Sequence, residues 1–241
     1  MEQICTLNSS AKELEASGIH VISSDEKTGI QALERAAPSL PCKPGYIHRR
    51  EFNYIRHGTL VLIGNLEVAT GQLLASTISE TRTEKDFLAH IKQTVNTDPK
   101  AGWIFIVDQL NTHMSASLIE WIAKVLKDPQ ELGKKGKSGI LKNKATRRAY
   151  LSRAEHRIRF AYTPKHCSWL NLIECWFSAL SKRVLSRGNF TSQEDLRKKI
   201  IAYMDYHNQR LAKQFNWSIS KKEDVDRLVD RVKRMVLKFA P

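Results

Sequence analysis

The chain has 241 residues, of which 41% are hydrophobic, and a formal net charge of +14. Its length and composition suit one domain of ordinary to large size with a packed core, and its charge favours a polyanion as partner. It has no run of about 18 apolar residues, and its first residues lack the basic start and apolar stretch of a secretion signal. These features argue against a membrane-spanning or secreted protein and predict a cytoplasmic one.

The first half of the chain alternates between strand and helix patterns. Residues 1–17 predict a short helical or irregular lead-in, and Ile19–Ser23 predicts a strand because it is rich in β-branched residues. Residues 29–57 are basic and interrupted by prolines, which favours an ordered loop. Thr59–Ile78 predicts two or three strands of a meander, divided at its glycines. Glu84–Val95 has the apolar spacing of a helix, with the preceding threonine as its expected N-cap.

The second half contains the strand with the clearest pattern. Trp103–Val107 is continuously apolar, which is typical of a central strand buried on both faces. Leu118–Leu126 returns to helical spacing, and Arg157–Tyr162 alternates as an edge or inner strand does. Between them, residues 130–156 are rich in glycine and lysine and predict a basic insertion that is only partly ordered. The surrounding stretch, Lys124–Arg159, carries 12 Lys and Arg residues against 3 Asp and Glu.

Two further helices and a C-terminal helix complete the pattern. Ser168–Leu185 is predicted to be one helix, and Thr191–Glu194 has the form of a capping box that opens another helix, which would end near His207. Residues 211–241 predict an amphipathic helix whose apolar stripe must be buried, either on the domain's own core or against a second subunit. The stripe consists of Val225, Leu228, Val229, Val232, Met235, Val236 and Phe239.

This order of elements predicts the fold class. Strand, meander, helix, central strand, helix, strand and helix is the order of a ribonuclease H-like α/β fold, in which helices flank a mixed sheet. We expect residues 18–210 to form this domain, with the basic insertion preceding the last catalytic helix. In such a fold the acid of the first strand lies beside the end of the fourth strand, and a later helix delivers a third acid.

Three acidic residues close or follow short apolar stretches: Asp25, Asp108 and Glu174. They are 83 and 66 residues apart, so only folding could unite them. A carboxylate at the end of a buried strand must pair, form hydrogen bonds or bind a cation. Three carboxylates brought together repel one another, and the positive charge of a divalent cation relieves that repulsion. Mg²⁺ suits such a site because it prefers a few carboxylates together with waters and phosphate oxygens. The three acids therefore predict metal-dependent phosphoryl chemistry on nucleic acid.

Two of the three acids also have simpler explanations. Asp25 could only start a turn, and Glu174 could only lie on the polar face of an amphipathic helix. Glu26 is the nearest alternative to Asp25, and Glu120 and Glu155 are weaker alternatives to Glu174. An RNA-binding protein of the ribosomal type would explain the charge of the chain, but it would not explain three acids on buried strands.

Three motifs around these positions favour the metal-site interpretation. They are R-R-E-F-N-Y-I-R-H-G-T-L at residues 49–60, V-D-Q-L-N-T-H at 107–113, and Y-T-P-K-H-C-S-W-L-N-L-I-E-C-W-F at 162–177. Together they resemble the transposases of bacterial insertion sequences in the mariner superfamily, over about residues 18–210. The third motif is the most specific, because it combines a proline, a Trp-Leu-Asn triplet and an acid in fixed register.

The resemblance implies that Asp25, Asp108 and Glu174 are the catalytic acidic triad and that they bind Mg²⁺ or Mn²⁺, as two ions. It implies an enzyme that hydrolyses a phosphodiester at the ends of a mobile element and then joins the 3′-hydroxyl to target DNA, typically at a TA dinucleotide. Double-stranded DNA would be its partner, and it could act as a homodimer. Its expected location is the bacterial cytoplasm, at the nucleoid.

Further residues in or beside the motifs predict DNA contacts. Arginines of the first motif would clamp phosphates bidentately. The asparagine and histidine after the second acid would orient water or a phosphate, and the Lys-His pair before the third acid would contact the scissile strand. These candidates are Arg49, Arg50, Arg56, Asn111, His113, Lys165 and His166.

Two departures from the family pattern affect the expected function. Relatives usually carry N-terminal helix-turn-helix modules that recognise the terminal inverted repeats, but only 24 residues precede Asp25. We therefore expect a catalytic half, with end recognition supplied by a separate helix-turn-helix polypeptide or missing. The interval from Asp108 to Glu174 is longer than the mariner-type pattern, and the basic insertion would account for the excess. A plain nuclease of the same fold and a non-catalytic or truncated DNA-binding remnant are the alternatives.

Overall fold

The structure is a computed structural model that describes residues 1–49, 51–215, 226–227 and 230. Its centre is a mixed five-stranded sheet, formed by β1 (Ile19–Arg35), β2 (Tyr54–Glu67), β3 (Thr77–Ser79), β4 (Gly102–Val107) and β5 (Ile158–Tyr162). The strand order is β3-β2-β1-β4-β5. β1 is antiparallel to β2 and parallel to β4, and β4 is parallel to β5.

Helices cover both faces of the sheet. They are α1 (Glu2–Ser9), α2 (Ala11–Ala16), α3 (Glu84–Val95), α4 (Ala116–Leu126), α5 (Lys144–Leu151), α6 (Ile173–Leu180) and α7 (Gln193–Tyr206). Side chains of α1, α2, α6 and α7 pack into one hydrophobic core, and those of α3, α4 and α5 pack into a second core. The sheet separates these two cores.

The inner strand β4, which lies between β1 and β5, contributes to both cores. Trp103, Phe105 and Val107 belong to the core under α3 and α4, whereas Ile104 and Ile106 belong to the core under α6 and α7. Successive side chains of a strand point to opposite faces, so a continuous apolar run fills both sides. Burial of each such side chain stabilises the fold by about 1.5–3 kcal/mol relative to exposure. The predicted central strand is confirmed, and it forms a firm support for the loop that follows it.

The first two strands are longer than the sequence predicts. Residues 29–57 were expected to form a loop, yet β1 continues to Arg35 and pairs with β2 from Tyr54 onward. Register shifts in the second half of β1 let the strand bend and continue its pairing. The proline-rich part is confined to the connection between the strands, residues 36–53. That loop prediction is therefore wrong for the two ends of the segment.

The predicted break of the meander at its first glycine is also wrong, because β2 runs through Gly64. A Cβ atom at this position would lie 3.2 Å from side-chain atoms of both Ile173 and Phe177. Glycine therefore allows the close approach of α6 to the sheet, since a Cβ atom would have to displace these side chains by a few tenths of an ångström. This approach bears on the candidate site, because α6 carries one of the three acids.

The basic insertion is folded. It contains α5, whose N-cap Asn143 accepts a hydrogen bond from the backbone N–H of Thr146 at 3.0 Å. Tyr150 and Leu151 are 1% and 0% exposed and belong to the core under α3 and α4. The Tyr150 hydroxyl donates a hydrogen bond to Asp128 Oδ2 at 2.9 Å. The expectation of partial order is wrong, because a few apolar residues among the lysines and glycines are enough to anchor the segment.

The third-acid helix and the helix after it differ in detail from the prediction. The expected single helix 168–185 consists of a 3₁₀ turn at Ser168–Leu170, α6, and a π-helical turn at Ser181–Leu185. The cap of α7 is Ser192, whose side chain accepts a backbone N–H at 3.0 Å, and not Thr191. The capping motif was therefore placed one residue too early.

Two predicted helices remain, of which the structure describes only the first in full. The helix Glu84–Val95 with Thr83 as its N-cap is confirmed, and the cap forms a full capping box. The apolar residues of the predicted C-terminal stripe lie outside the described part of the chain. Among the residues that the structure describes, no helix is both long enough and apolar enough to cross a membrane.

Candidate active site

The sheet places Asp25 and Asp108 side by side. β1 and β4 are parallel, and the last residues paired between them are Ser23 and Ile106. Asp25 lies two residues after Ser23, and Asp108 lies two residues after Ile106. Because the strands are parallel, the same register brings the two aspartates level with each other. Asp108 directly follows β4, as expected. Asp25 does not end its strand, because its pairing with β2 continues opposite Gly64.

Asp25 is a largely buried carboxyl group, with 9% exposure. Its Oδ1 accepts the backbone N–H of Glu26 at 2.8 Å, and its Oδ2 accepts Asn171 Nδ2 at 3.3 Å. Burial raises the pKa of Asp25 to about 7; the hydrogen bond from Glu26 opposes the rise, and the charges of Asp108, Glu174 and Glu26 add to it. Several carboxylates therefore act on one another here, and a cation would relieve their repulsion.

The third acid is held in place by polar contacts between α6 and β1. Ser23 Oγ donates a hydrogen bond to Asn171 Oδ1 and accepts the backbone N–H of Ile173 at 2.9 Å. Asn171 Nδ2 also donates to the carbonyl oxygen of Ser24 at 2.9 Å. Glu174 lies in the first turn of α6 and is exposed. Asn171 and Ser23 thus fix where α6 begins on the sheet, and with it the position of Glu174.

A buried histidine connects Asp108 to the acid that follows Asp25. His113 Nδ1 lies 2.8 Å from Asp108 Oδ1, and His113 Nε2 lies 3.1 Å from Glu26 Oε1. The side chains of His113 and Glu26 are 0% and 2% exposed, whereas 36% of the Asp108 side chain is exposed. The Phe87 ring packs on the imidazole at a centroid distance of 4.3 Å. His113 therefore holds Asp108 from the protein interior and leaves part of its side chain accessible.

The pKa values of His113 and Asp108 follow from their contacts. Burial alone would lower the pKa of His113, but hydrogen bonds to Asp108 and Glu26 outweigh it and raise the pKa to about 9. Burial alone would raise the pKa of Asp108, but the hydrogen bond from His113, a backbone N–H and the charges of His113 and Arg82 lower it. At neutral pH, His113 is therefore a cation between two carboxylates.

The predicted DNA contacts separate into surface and buried residues. Arg50 lies outside the described residues. His113 does not fit a direct DNA contact, because its side chain is fully buried and both ring nitrogens face carboxylates. That prediction is corrected: His113 supports the acids from the interior. The remaining candidates are all exposed: Arg49, Arg56, Asn111, Lys165 and His166.

Three residues contribute to the site in ways that the sequence does not predict. Glu26 was considered only as an alternative to Asp25, yet it is the interior partner of His113. Asn171 forms the contacts between β1 and α6, and a polar residue in an apolar motif is the signal that could have revealed it, since buried amides require partners. Arg82 influences Asp108 through its charge, and no local pattern distinguishes it from other surface arginines.

The acids suit a hard divalent cation. Asp25, Asp108 and Glu174 offer oxygen ligands, which are preferred by Mg²⁺ and Mn²⁺. Burial first, and then the charges of Asp108, Glu174 and Glu26, raise the pKa of Asp25, and a bound cation would stabilise its charged form. Within the described residues, no three His, Cys, Asp or Glu side chains already have an arrangement that could hold a metal ion. The fit therefore rests on ligand chemistry and charge.

Comparison with known proteins identifies the family. Residues 20–197 match the DDE superfamily endonuclease family, and the chain belongs to this family. Among solved structures, the Mos1 mariner paired-end complex with Mn matches with a TM-score of 0.52 and 14% identity, over 98% of this chain and 60% of that one. The Mos1 strand transfer complex matches with a TM-score of 0.46 and 12% identity, over 99% and 62%. No curated protein matches.

These comparisons confirm the predicted fold class and the broad family. The family match includes all three acids and the sequence motifs around them. The mixed sheet flanked by helices is the ribonuclease H-like catalytic fold of the Mos1 transposase, and at 14% identity the likeness shows the fold alone. The chain spans about 60% of the length of that solved transposase.

Proposed function

We propose that this chain is the catalytic part of a DNA transposase of the bacterial insertion-sequence type within the mariner superfamily. It hydrolyses phosphodiester bonds at the ends of its element and joins the resulting 3′-hydroxyl to target DNA. One observation carries the proposal: Asp25 in β1 lies level with Asp108, which directly follows the adjacent parallel strand β4, and the charge of Glu174 acts on Asp25. Membership of the DDE superfamily endonucleases supports this assignment.

Asp25, Asp108 and Glu174 would hold Mg²⁺ or Mn²⁺, as two ions. When bound, the metal supplies the positive charge that activates the attacking oxygen and stabilises the leaving 3′ oxygen. His113 keeps Asp108 ionised and fixes its orientation. Asn171 binds one oxygen of Asp25 and positions the start of the helix that carries Glu174. These two residues thus orient all three acids.

The charge of the chain supports duplex DNA as the substrate. Arg49 and Arg56 are exposed on and beside the connection between β1 and β2, and Lys165 and His166 are exposed just before the third acid. Together with the overall charge of +14, these exposed side chains offer contacts to DNA phosphates. Pairing of two element ends would involve a second subunit, and a separate helix-turn-helix polypeptide would contribute to the specific recognition of those ends.

A strand-transfer assay tests this function against plain DNA cleavage. The substrates are a pre-cleaved end of the element that encodes the chain, with a free 3′-hydroxyl, and a supercoiled target plasmid. We expect Mg²⁺-dependent joined products with the wild-type chain and none with Asp108→Asn. Cleavage of intact DNA without joining would contradict the transposase proposal and favour a plain nuclease, which the endonuclease family also accommodates.

A further inference from the structure

A cavity of about 280 Å³ opens beside Asp108. Its walls combine one guanidinium group, two side-chain amides, a threonine and an aliphatic side chain. This volume lies just below the range of ligand cavities, roughly 300–1,000 Å³, so it suits a small charged group and its immediate neighbours. The lining residues are Arg82, Gln109, Leu110, Asn111 and Thr112.

Arg82 supplies the positive charge of this cavity. Its side chain is exposed, and its charge helps to lower the pKa of Asp108. In the described part of the chain, no carboxylate forms a salt bridge with it. The nearby Glu84 is engaged elsewhere, since it accepts Ser117 Oγ at 2.6 Å and lies 3.9 Å from Lys135 Nζ. The guanidinium of Arg82 is thus available to an anionic ligand.

The segment that carries Arg82 is fixed by its neighbours. Thr81 Oγ1 donates a hydrogen bond to Asp86 Oδ2 at 2.7 Å, and the backbone N–H of Thr83 donates to the same oxygen at 2.6 Å. Arg82 lies between these two anchored residues, immediately before α3. Its backbone is therefore held in place, and only the side chain remains to be ordered by a ligand.

The segment that supplies the other lining residues is also held by hydrogen bonds. The backbone N–H of Leu110 donates to Asp108 Oδ1 at 2.9 Å, and Gln109 Nε2 donates to the carbonyl oxygen of Thr163 at 2.8 Å. The carbonyl oxygen of Asn111 accepts the backbone N–H of Met114 at 3.2 Å. A pre-organised wall reduces the entropy lost on binding.

We propose that this cavity binds a phosphodiester group of the DNA strand, next to the phosphodiester that is presented to the acids, with Arg82 as its main ligand. The inference rests on the proposed function and extends it to a specific subsite. Consecutive phosphates of one strand follow at a rise of about 3.4 Å, so a strand at Asp108 must place a neighbouring phosphate close by. A guanidinium binds such a phosphate bidentately, and the exposed amide of Asn111 adds a donor.

The test is a binding titration of the full chain without divalent metal. The probe is a thymidine dinucleotide with one phosphodiester, and its neutral methylphosphonate analogue is the matched ligand. NMR signals of the Arg82 guanidinium and the Asn111 side-chain amide should shift together and saturate with the dinucleotide. Arg82→Ala should weaken binding about tenfold, and Arg82→Lys should restore it only in part, because lysine keeps the charge but not the planar fork.

Lys85→Ala is the matched control, since Lys85 is an exposed cation in the first turn of α3 and does not line the cavity. It should bind the dinucleotide as the wild type does. Equal losses in Arg82→Ala and Lys85→Ala would overturn the inference, and so would equal binding of the methylphosphonate. Equal binding of inorganic phosphate would overturn the assignment to a DNA strand.

The outcome separates this subsite from the proposed function. A chain that binds the dinucleotide through Arg82 but cleaves no DNA with Mg²⁺ would contradict the proposed function and leave the phosphate site standing. A chain that cleaves DNA while Arg82→Ala binds the dinucleotide normally would contradict the phosphate site alone.

Discussion

Replacement of His113 by alanine removes a cation from between two carboxylates and should destabilise the fold strongly. Glu26, whose side chain is 2% exposed, would then be a buried charge without its partner. Breaking a buried ion pair from one side costs about 3–5 kcal/mol. The rise of the His113 pKa from 6.5 to about 9 gives a second value, on the order of 3 kcal/mol. The two magnitudes agree.

The pH dependence of this loss has a definite sign. A histidine whose folded pKa lies above its unfolded pKa stabilises the fold fully below the unfolded value of 6.5, and this stabilisation disappears as the pH rises through about 9. Urea denaturation across this pH range measures the effect. The difference in unfolding free energy between wild type and His113→Ala should be largest at the acidic end and fall by ~3 kcal/mol at the alkaline end.

His90→Ala is the matched control, because His90 is also fully buried. Burial, followed by the charge of His113, lowers the pKa of His90 to about 3. The stabilisation of the fold by neutral His90 is therefore present above pH 6.5 and is lost as the pH falls below that value. For His90→Ala, the loss of unfolding free energy should not change between pH 6.5 and 9. The same constancy in His113→Ala would refute a charged His113 between Asp108 and Glu26.

Three other predictions concern Asp25, Gly64 and the basic insertion. Because the folded pKa of Asp25 is raised, the wild type loses stability as the pH rises from 3.8 through about 7. Asp25→Asn should therefore be more stable than wild type at pH ~8 in EDTA, by up to ~4 kcal/mol, and Mg²⁺ should no longer stabilise it. Thermal melting that shows neither the gain in stability nor the loss of the Mg²⁺ effect would contradict the acid cluster. Gly64→Ala places a Cβ 3.2 Å from α6 side chains and should cost about 1–3 kcal/mol in denaturant titrations; an unchanged midpoint would contradict the close packing. Replacement of Lys134, Lys135 and Lys137 by glutamine should reduce the salt dependence of DNA binding, by a slope of up to about 2.7, and an unchanged slope would show that the insertion faces away from DNA.

The predictable parts of the fold are those with short-range signals. β4 is continuously apolar, and α3 has a threonine cap followed by helical spacing, so both can be assigned from a few adjacent residues. The continuation of β1 to Arg35 depends on pairing with β2, whose partner residue Tyr54 is distant in sequence. The order of the insertion likewise depends on Tyr150 and Leu151 reaching a core built by other segments. Such contacts leave no local pattern.

The candidate site shows the same division. Asp25, Asp108 and Glu174 could be proposed from their apolar surroundings and motifs, because a charge beside a buried strand is conspicuous. The bridge from His113 to Glu26 joins residues 87 positions apart, and its burial reverses the role that the motif suggested for the histidine. No spacing rule connects two such residues before the sheet register is known.

Mg²⁺-dependent cleavage of duplex DNA by single carboxylate variants tests the central claim most directly. Asp25→Asn, Asp108→Asn and Glu174→Gln should each abolish cleavage while DNA binding is largely retained, because each change would remove a proposed metal ligand and little volume. Glu120→Gln, which changes an exposed acid on α4, should cleave at the wild-type rate. Wild-type cleavage by any one of the three triad variants would contradict the assignment of the active site.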